Sequence, residues 1–74
     1  MPHVNVKYFP VDISPEQRAA FVSVVTDAVR TTFGVDESVV SIALEPVPAE
    51  HWTAQVYQPE ILDRKDLLVK APNY

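Results

Sequence analysis

The sequence predicts an α+β fold: a β-α-β protomer with two parallel strands, a crossover helix between them and a short C-terminal helix. Three observations predict it. A short alternating segment opens the chain, a long capped amphipathic segment follows, and a run of β-branched and aliphatic residues comes next.

From His3 to Phe9 apolar and polar residues alternate, with Val4, Val6 and Tyr8 on one face and His3, Asn5 and Lys7 on the other. This is the pattern of a half-buried strand. Ser14, Pro15, Glu16 and Gln17 then form a helix start: serine caps, proline suits the first helical position, and glutamine stands where a capping box needs it. Phe21, Val24, Val25, Ala28, Val29 and Phe33 recur at helical spacing, and Gly34 follows as a natural residue to end the helix. The helix is thus placed at about Pro15 to Phe33.

Val39 to Glu45 is too short for a helix of its own and dense in strand-forming residues, so a second strand is predicted there. Strand, helix and strand in that order make a parallel pair with a right-handed crossover. Pro46 and Pro48 break the strand, and Trp52 falls on a loop or short turn. Pro59 reads as the first residue of a closing helix, PEILDRKDLLVK, with Ile61, Leu62, Leu67 and Leu68 as its apolar positions and Pro72 as its stop.

The length of 74 residues suits one domain, residues 1–74, and a chain so short leaves much apolar surface within reach of water. With 47% hydrophobic residues and no cysteine to form a disulfide, the missing burial is expected from self-association through the sheet, as a homo-oligomer of at least two copies. The lack of cysteine also excludes thiol catalysis and a thiolate metal site. No basic segment leads into an apolar core, and no apolar run approaches the ~20 residues that span a bilayer, so no membrane partner is expected and the cytoplasm is the expected location. Six Lys and Arg stand against ten Asp and Glu, scattered, for a net charge of −4. A nucleic-acid partner would need a cationic stripe, so none is expected.

Few side chains offer chemistry. His3 and His51 alone titrate near neutrality by type, and they lack metal-ligand spacing or a serine partner in sequence. Gly34 is the only glycine, so no glycine loop cradles a phosphate; no cofactor and no metal are expected. Pro2 is open to two readings. It can simply begin a strand, where a missing backbone donor does no harm. Alternatively, removal of Met1, which a small second residue permits, turns its amide into a free secondary amine. A free α-amino group titrates near pH 8, and burial among apolar side chains disfavours its cation. The neutral amine then abstracts a proton beside a carbonyl, rigidly aimed by its ring.

The opening Met-Pro-His-Val-Asn-Val, the capped helix, the strand Ser41-Ile42-Ala43-Leu44 and the following Trp52 together resemble the 4-oxalocrotonate tautomerase family of the tautomerase superfamily. The closing EILDRKDLLVKAPNY and the SIAL stretch with its tryptophan look closest to the short, dimer-forming phenylpyruvate tautomerase branch. The resemblance covers essentially the whole chain. It implies a tautomerase-type (MIF-like) fold assembled as dimers, sometimes stacked into hexamers, with the dimer favoured here. It also implies an isomerase that interconverts keto and enol forms of a small 2-oxo acid such as phenylpyruvate, without cofactor, with processed Pro2 as general base and then acid. Trp52 falls at the family's aromatic wall; its other reading is a plain core or contact aromatic.

The chain departs from the hexameric members, whose two arginines bind the substrate's carboxylate and carbonyl; at those positions stand Asp12 and Ser41. Dicarboxylate substrates are therefore disfavoured. Ser41 and His51 remain as donors to a carbonyl or carboxylate, and Lys7, Arg64 and Lys70 as candidate cations. Two alternatives stand beside the tautomerase. One is a hydratase or dehalogenase of an unsaturated acid on the same fold, with Glu50 activating water. The other is a non-catalytic oligomeric interaction module with a structural Pro2.

Overall fold

A computed structural model describes all 74 residues, Met1–Tyr74, and the expected β-α-β order is present. Strand β1 spans His3–Tyr8, helix α1 spans Pro15–Phe33 and strand β2 spans Ser41–Pro46. The strands are neighbours in one two-stranded sheet. Two backbone bonds fix their direction and register: Ser41 N–H donates to the Pro2 carbonyl at 3.2 Å, and Val47 N–H donates to the Tyr8 carbonyl at 2.8 Å. Low numbers pair with low and high with high, which is the parallel arrangement. By contact the chain divides into two compact units, Met1–Val6 with Val11–Glu45, and Lys7–Pro10 with Pro46–Tyr74.

In the first unit, α1 begins where its chemistry dictates. Ser14 is extended, its hydroxyl accepts from Gln17 N–H at 3.1 Å, and Gln17 Oε1 accepts from Ser14 N–H at 2.9 Å, so the capping box is complete. Gly34 ends the helix at φ 65° and ψ 43°, a left-handed conformation that glycine adopts without strain, with its N–H on the Arg30 carbonyl at 2.9 Å. The apolar stripe is narrower than its sequence suggests. Phe21, Val25 and Val29, spaced four apart, are half-buried, whereas Val24 and Phe33 are 68% and 65% exposed. No residue of this unit is fully buried.

Strand β2 starts two residues later than the sequence indicates. Asp36 accepts from Ser38 N–H at 2.9 Å and so caps a 3-10 turn over Glu37–Val39, which takes Val39 out of the strand.

The second unit departs further from expectation. A 3-10 turn covers Ala49–His51, and a π-helical segment runs over Thr53–Leu62 with Pro59 inside it. A 3-10 turn follows at Lys65–Leu67. The closing helix is therefore not PEILDRKDLLVK from Pro59 onward; it lies earlier and stops before Leu67. In an α-helix a proline ring collides with the carbonyl four residues back; the wider π turn, with bonds such as Asp63 N–H to the Gln58 carbonyl at 3.0 Å, makes room for it. Val47 and Val56, at 2% and 6% exposure, form the buried core of this unit. No helix is long and apolar enough to cross a membrane.

Candidate active site

Pro2 lies half-buried at the head of β1. Its carbonyl accepts the Ser41 N–H, so the parallel register that builds the sheet also anchors the residue carrying the candidate base. The same register brings His3 beside Ser41, with Nδ1 and the hydroxyl oxygen 2.7 Å apart. Both side chains are exposed. Ser41 has a single proton, so it is either given to His3 or, when His3 Nδ1 is the protonated nitrogen, left free for another acceptor. Farther along the pair, Asn5 Nδ2 donates to Glu45 Oε1 at 3.0 Å. Asp12 is exposed. A recess of this unit, lined by Ser23, Val24, Thr26, Asp27, Arg30, Asp36 and Glu37, is polar and acidic on balance.

The second unit holds a cluster of aromatic rings. Trp52, half-buried after the Ala49–His51 turn, meets Phe9 edge-on, with centroids 5.0 Å apart and planes at 88°. Its indole N–H donates to the Tyr74 hydroxyl at 3.3 Å, and Tyr74 in turn lies 5.6 Å from Tyr57. Lys7, Tyr8, Phe9, Trp52 and Tyr74 line a cavity of ≈ 530 Å³. A smaller apolar recess of ≈ 350 Å³ shares Tyr74 and is floored by Tyr57, Ile61, Leu62 and Leu68.

Charge in this unit centres on Glu60. One of its oxygens lies 3.3 Å from Lys7 Nζ and the other 3.2 Å from Arg64 Nη1. The hydrogen bond from Lys7, followed by that from Arg64, holds the Glu60 carboxyl below the usual carboxylate range. Arg64 stands just past the π-helical segment, four residues after Glu60, and is engaged with it. His51 and Lys70 are both exposed, His51 at the end of its turn and Lys70 at a bend beyond Leu67.

Of the sequence-derived candidates, the first unit thus brings Pro2 and Ser41 together and adds His3. Trp52, His51, Arg64 and Lys70 belong to the second. Sequence reasoning did not pair His3 with Ser41, because it placed the second strand from Val39, and only the observed start at Ser41 brings the two side by side. It also passed over Phe9, Tyr74 and Glu60, whose contacts with Trp52 and Lys7 span 43, 22 and 53 residues in sequence and leave no local pattern.

The β-α-β order with two parallel strands is that of the small tautomerase fold, a class of small-molecule enzymes. The family model of tautomerase enzymes matches residues 2–60, and the chain belongs to the tautomerase family; it is an isomerase. It is 40% identical to Tautomerase PptA of Enterobacter sp. (strain 638) over 74 residues, all of this chain and 97% of that one. It is 38% identical to the Tautomerase PptA of Cronobacter sakazakii (strain ATCC BAA-894) and 34% to that of Escherichia coli O139:H28, with the same coverage. Tautomerase family proteins are small oligomers that act on small-molecule substrates.

Proposed function

We propose that the protein is a cofactor-independent keto–enol tautomerase of a phenylpyruvate-like 2-oxo acid, with Pro2 as its general base and acid once Met1 is removed. The observation that carries this reading is Pro2 itself, half-buried, anchored through its carbonyl at the head of β1, and the first residue of the family match. In ketonisation the neutral amine takes the proton of the enol hydroxyl, and the resulting ammonium returns it to the adjacent carbon. The proton is conserved, so no second acid or base is required. Negative charge develops on the substrate oxygen as the hydroxyl proton leaves, and the Ser41 hydroxyl is the donor assigned to it. Trp52 is the aromatic residue assigned to substrate contact, and His51, Arg64 and Lys70 are the remaining candidates for contact with the acid group.

Residues 1–74 act as one catalytic domain in this reading, in the cytoplasm and as a dimer rather than a hexamer. The absence of any fully buried residue in the first unit supports association.

Mass spectrometry of the purified protein is expected to show the chain without Met1. Ketonisation of phenylenolpyruvate, followed by absorbance, is expected to slow about 10²–10⁴-fold in Pro2→Ala, with circular dichroism unchanged. Equal rates in the two proteins would remove Pro2 from the mechanism.

A further inference from the structure

The family's arginines are missing from this chain, yet a 2-oxo acid brings a carboxylate that needs a counter-charge. The second unit supplies one. Its ≈ 530 Å³ cavity, within the size range of small-molecule sites, is lined by four aromatic residues and one charged residue, Lys7. Glu60 is a single carboxylate shared by two cations, so one positive charge is left over. That surplus falls most usefully on Lys7. The Arg64 side chain is 53% exposed and hydrated, whereas that of Lys7 is 25% exposed. A charge with less water around it interacts more strongly. An ammonium has three donors, and Glu60 occupies one of them at 3.3 Å, leaving two for a ligand.

The aromatic part of the cavity is also held in place. Phe9 fixes the edge of Trp52, and the indole N–H is tied to Tyr74, so the walls offer a preset slot for a flat ring. An aromatic-walled apolar cavity with one cation on its lining favours a ligand with an aromatic ring at one end and an anion at the other.

We propose that Phe9, Trp52 and Tyr74 form a binding site for an aromatic carboxylate and that Lys7 is the residue that recognises its acid group. The proposal takes its ligand class from the tautomerase reading above and adds the residue that replaces the arginines. Glu60 holds the Lys7 ammonium at 3.3 Å and offsets the repulsion between Lys7 and Arg64.

Trp52 is the only tryptophan in the chain, so its fluorescence reports directly on this cavity. Titration with 3-phenylpropanoate, which lacks the 2-oxo group and does not react, is compared with its uncharged amide. Lys7→Met is expected to weaken binding of the acid about tenfold or more and to leave the amide unchanged, because only the acid forms a charge-assisted bond. Lys7→Arg is expected to bind the acid within about threefold of the parent, since it keeps the charge. Equal loss for acid and amide, or no loss for either, would overturn the assignment; so would Lys7→Arg behaving like Lys7→Met. The titration involves no turnover, so its failure dismisses Lys7 as the anchor while the Pro2→Ala kinetics decide the reaction separately.

Discussion

Ser41→Ala separates a donor that works on substrate from one that merely holds the fold. The substitution deletes the hydroxyl and its 2.7 Å contact with His3 Nδ1, but it leaves the backbone N–H that anchors the Pro2 carbonyl. The structural loss is therefore one hydrogen bond between two exposed side chains, about 0.5 kcal/mol, at the low end of the usual range. A donor aimed at a developing oxyanion in a water-free site contributes about 10²–10³-fold to kcat. Ser41 is open to solvent, which weakens that effect, and about tenfold, near 1.4 kcal/mol, is expected. Ketonisation of phenylenolpyruvate measured beside urea unfolding gives both numbers from one preparation. The tenfold loss is expected in kcat, since the charge appears only as the proton moves. His3→Ala is the companion: it removes the same contact while leaving the Ser41 proton in place, so its kcat is expected to stay closer to that of the parent. An unchanged kcat in Ser41→Ala, or the same kinetic defect in both variants, would refute the role assigned to the hydroxyl.

Two further outcomes follow from the folds of the separate units. Gly34→Ala places a Cβ in open space, with no atom within 4 Å, so its whole cost is the left-handed backbone, about 1 kcal/mol net of the stiffer unfolded chain; at fixed protein concentration the melting temperature is expected to fall by roughly 4–8 °C, and a rise would contradict the strain argument. Glu60 and Asp36 have carboxyl pKa values lowered in the folded state, by hydrogen bonds from Lys7 and Arg64 and from Ser38 respectively. Their stabilisation is present above the ordinary carboxylate pKa of about 4 and is lost as pH falls through the lower folded values, so the urea midpoint is expected to drop on acidification, with a shallower drop in Glu60→Gln.

Legibility in the sequence followed the range of the interactions. Helix α1 occupies the span its end signals define, because Ser14, Gln17 and Gly34 act on backbone groups within a turn of themselves. Strand β2 was foreshortened at its start by Asp36, whose preference for capping outweighs the β-propensity of Val39. Pro59 misled for a physical reason: proline usually opens a helix, but a π turn tolerates it inside. Pro2 is open to two readings from its position, a strand opener or a reagent, and the family resemblance is what tips it toward the second. The neighbours of the candidate site were not legible, since His3 meets Ser41 through strand register and Trp52 meets Tyr74 through the return of the tail, neither of which is a local pattern.

The absence of a fully shielded side chain in the first unit carries a consequence for the living cell. In a family whose members assemble, such a half draws its cohesion from neighbours, and mass action makes that cohesion depend on abundance. Lowering the protein concentration is therefore expected to lower the melting temperature, a dependence that a protein folded as a monomer would lack.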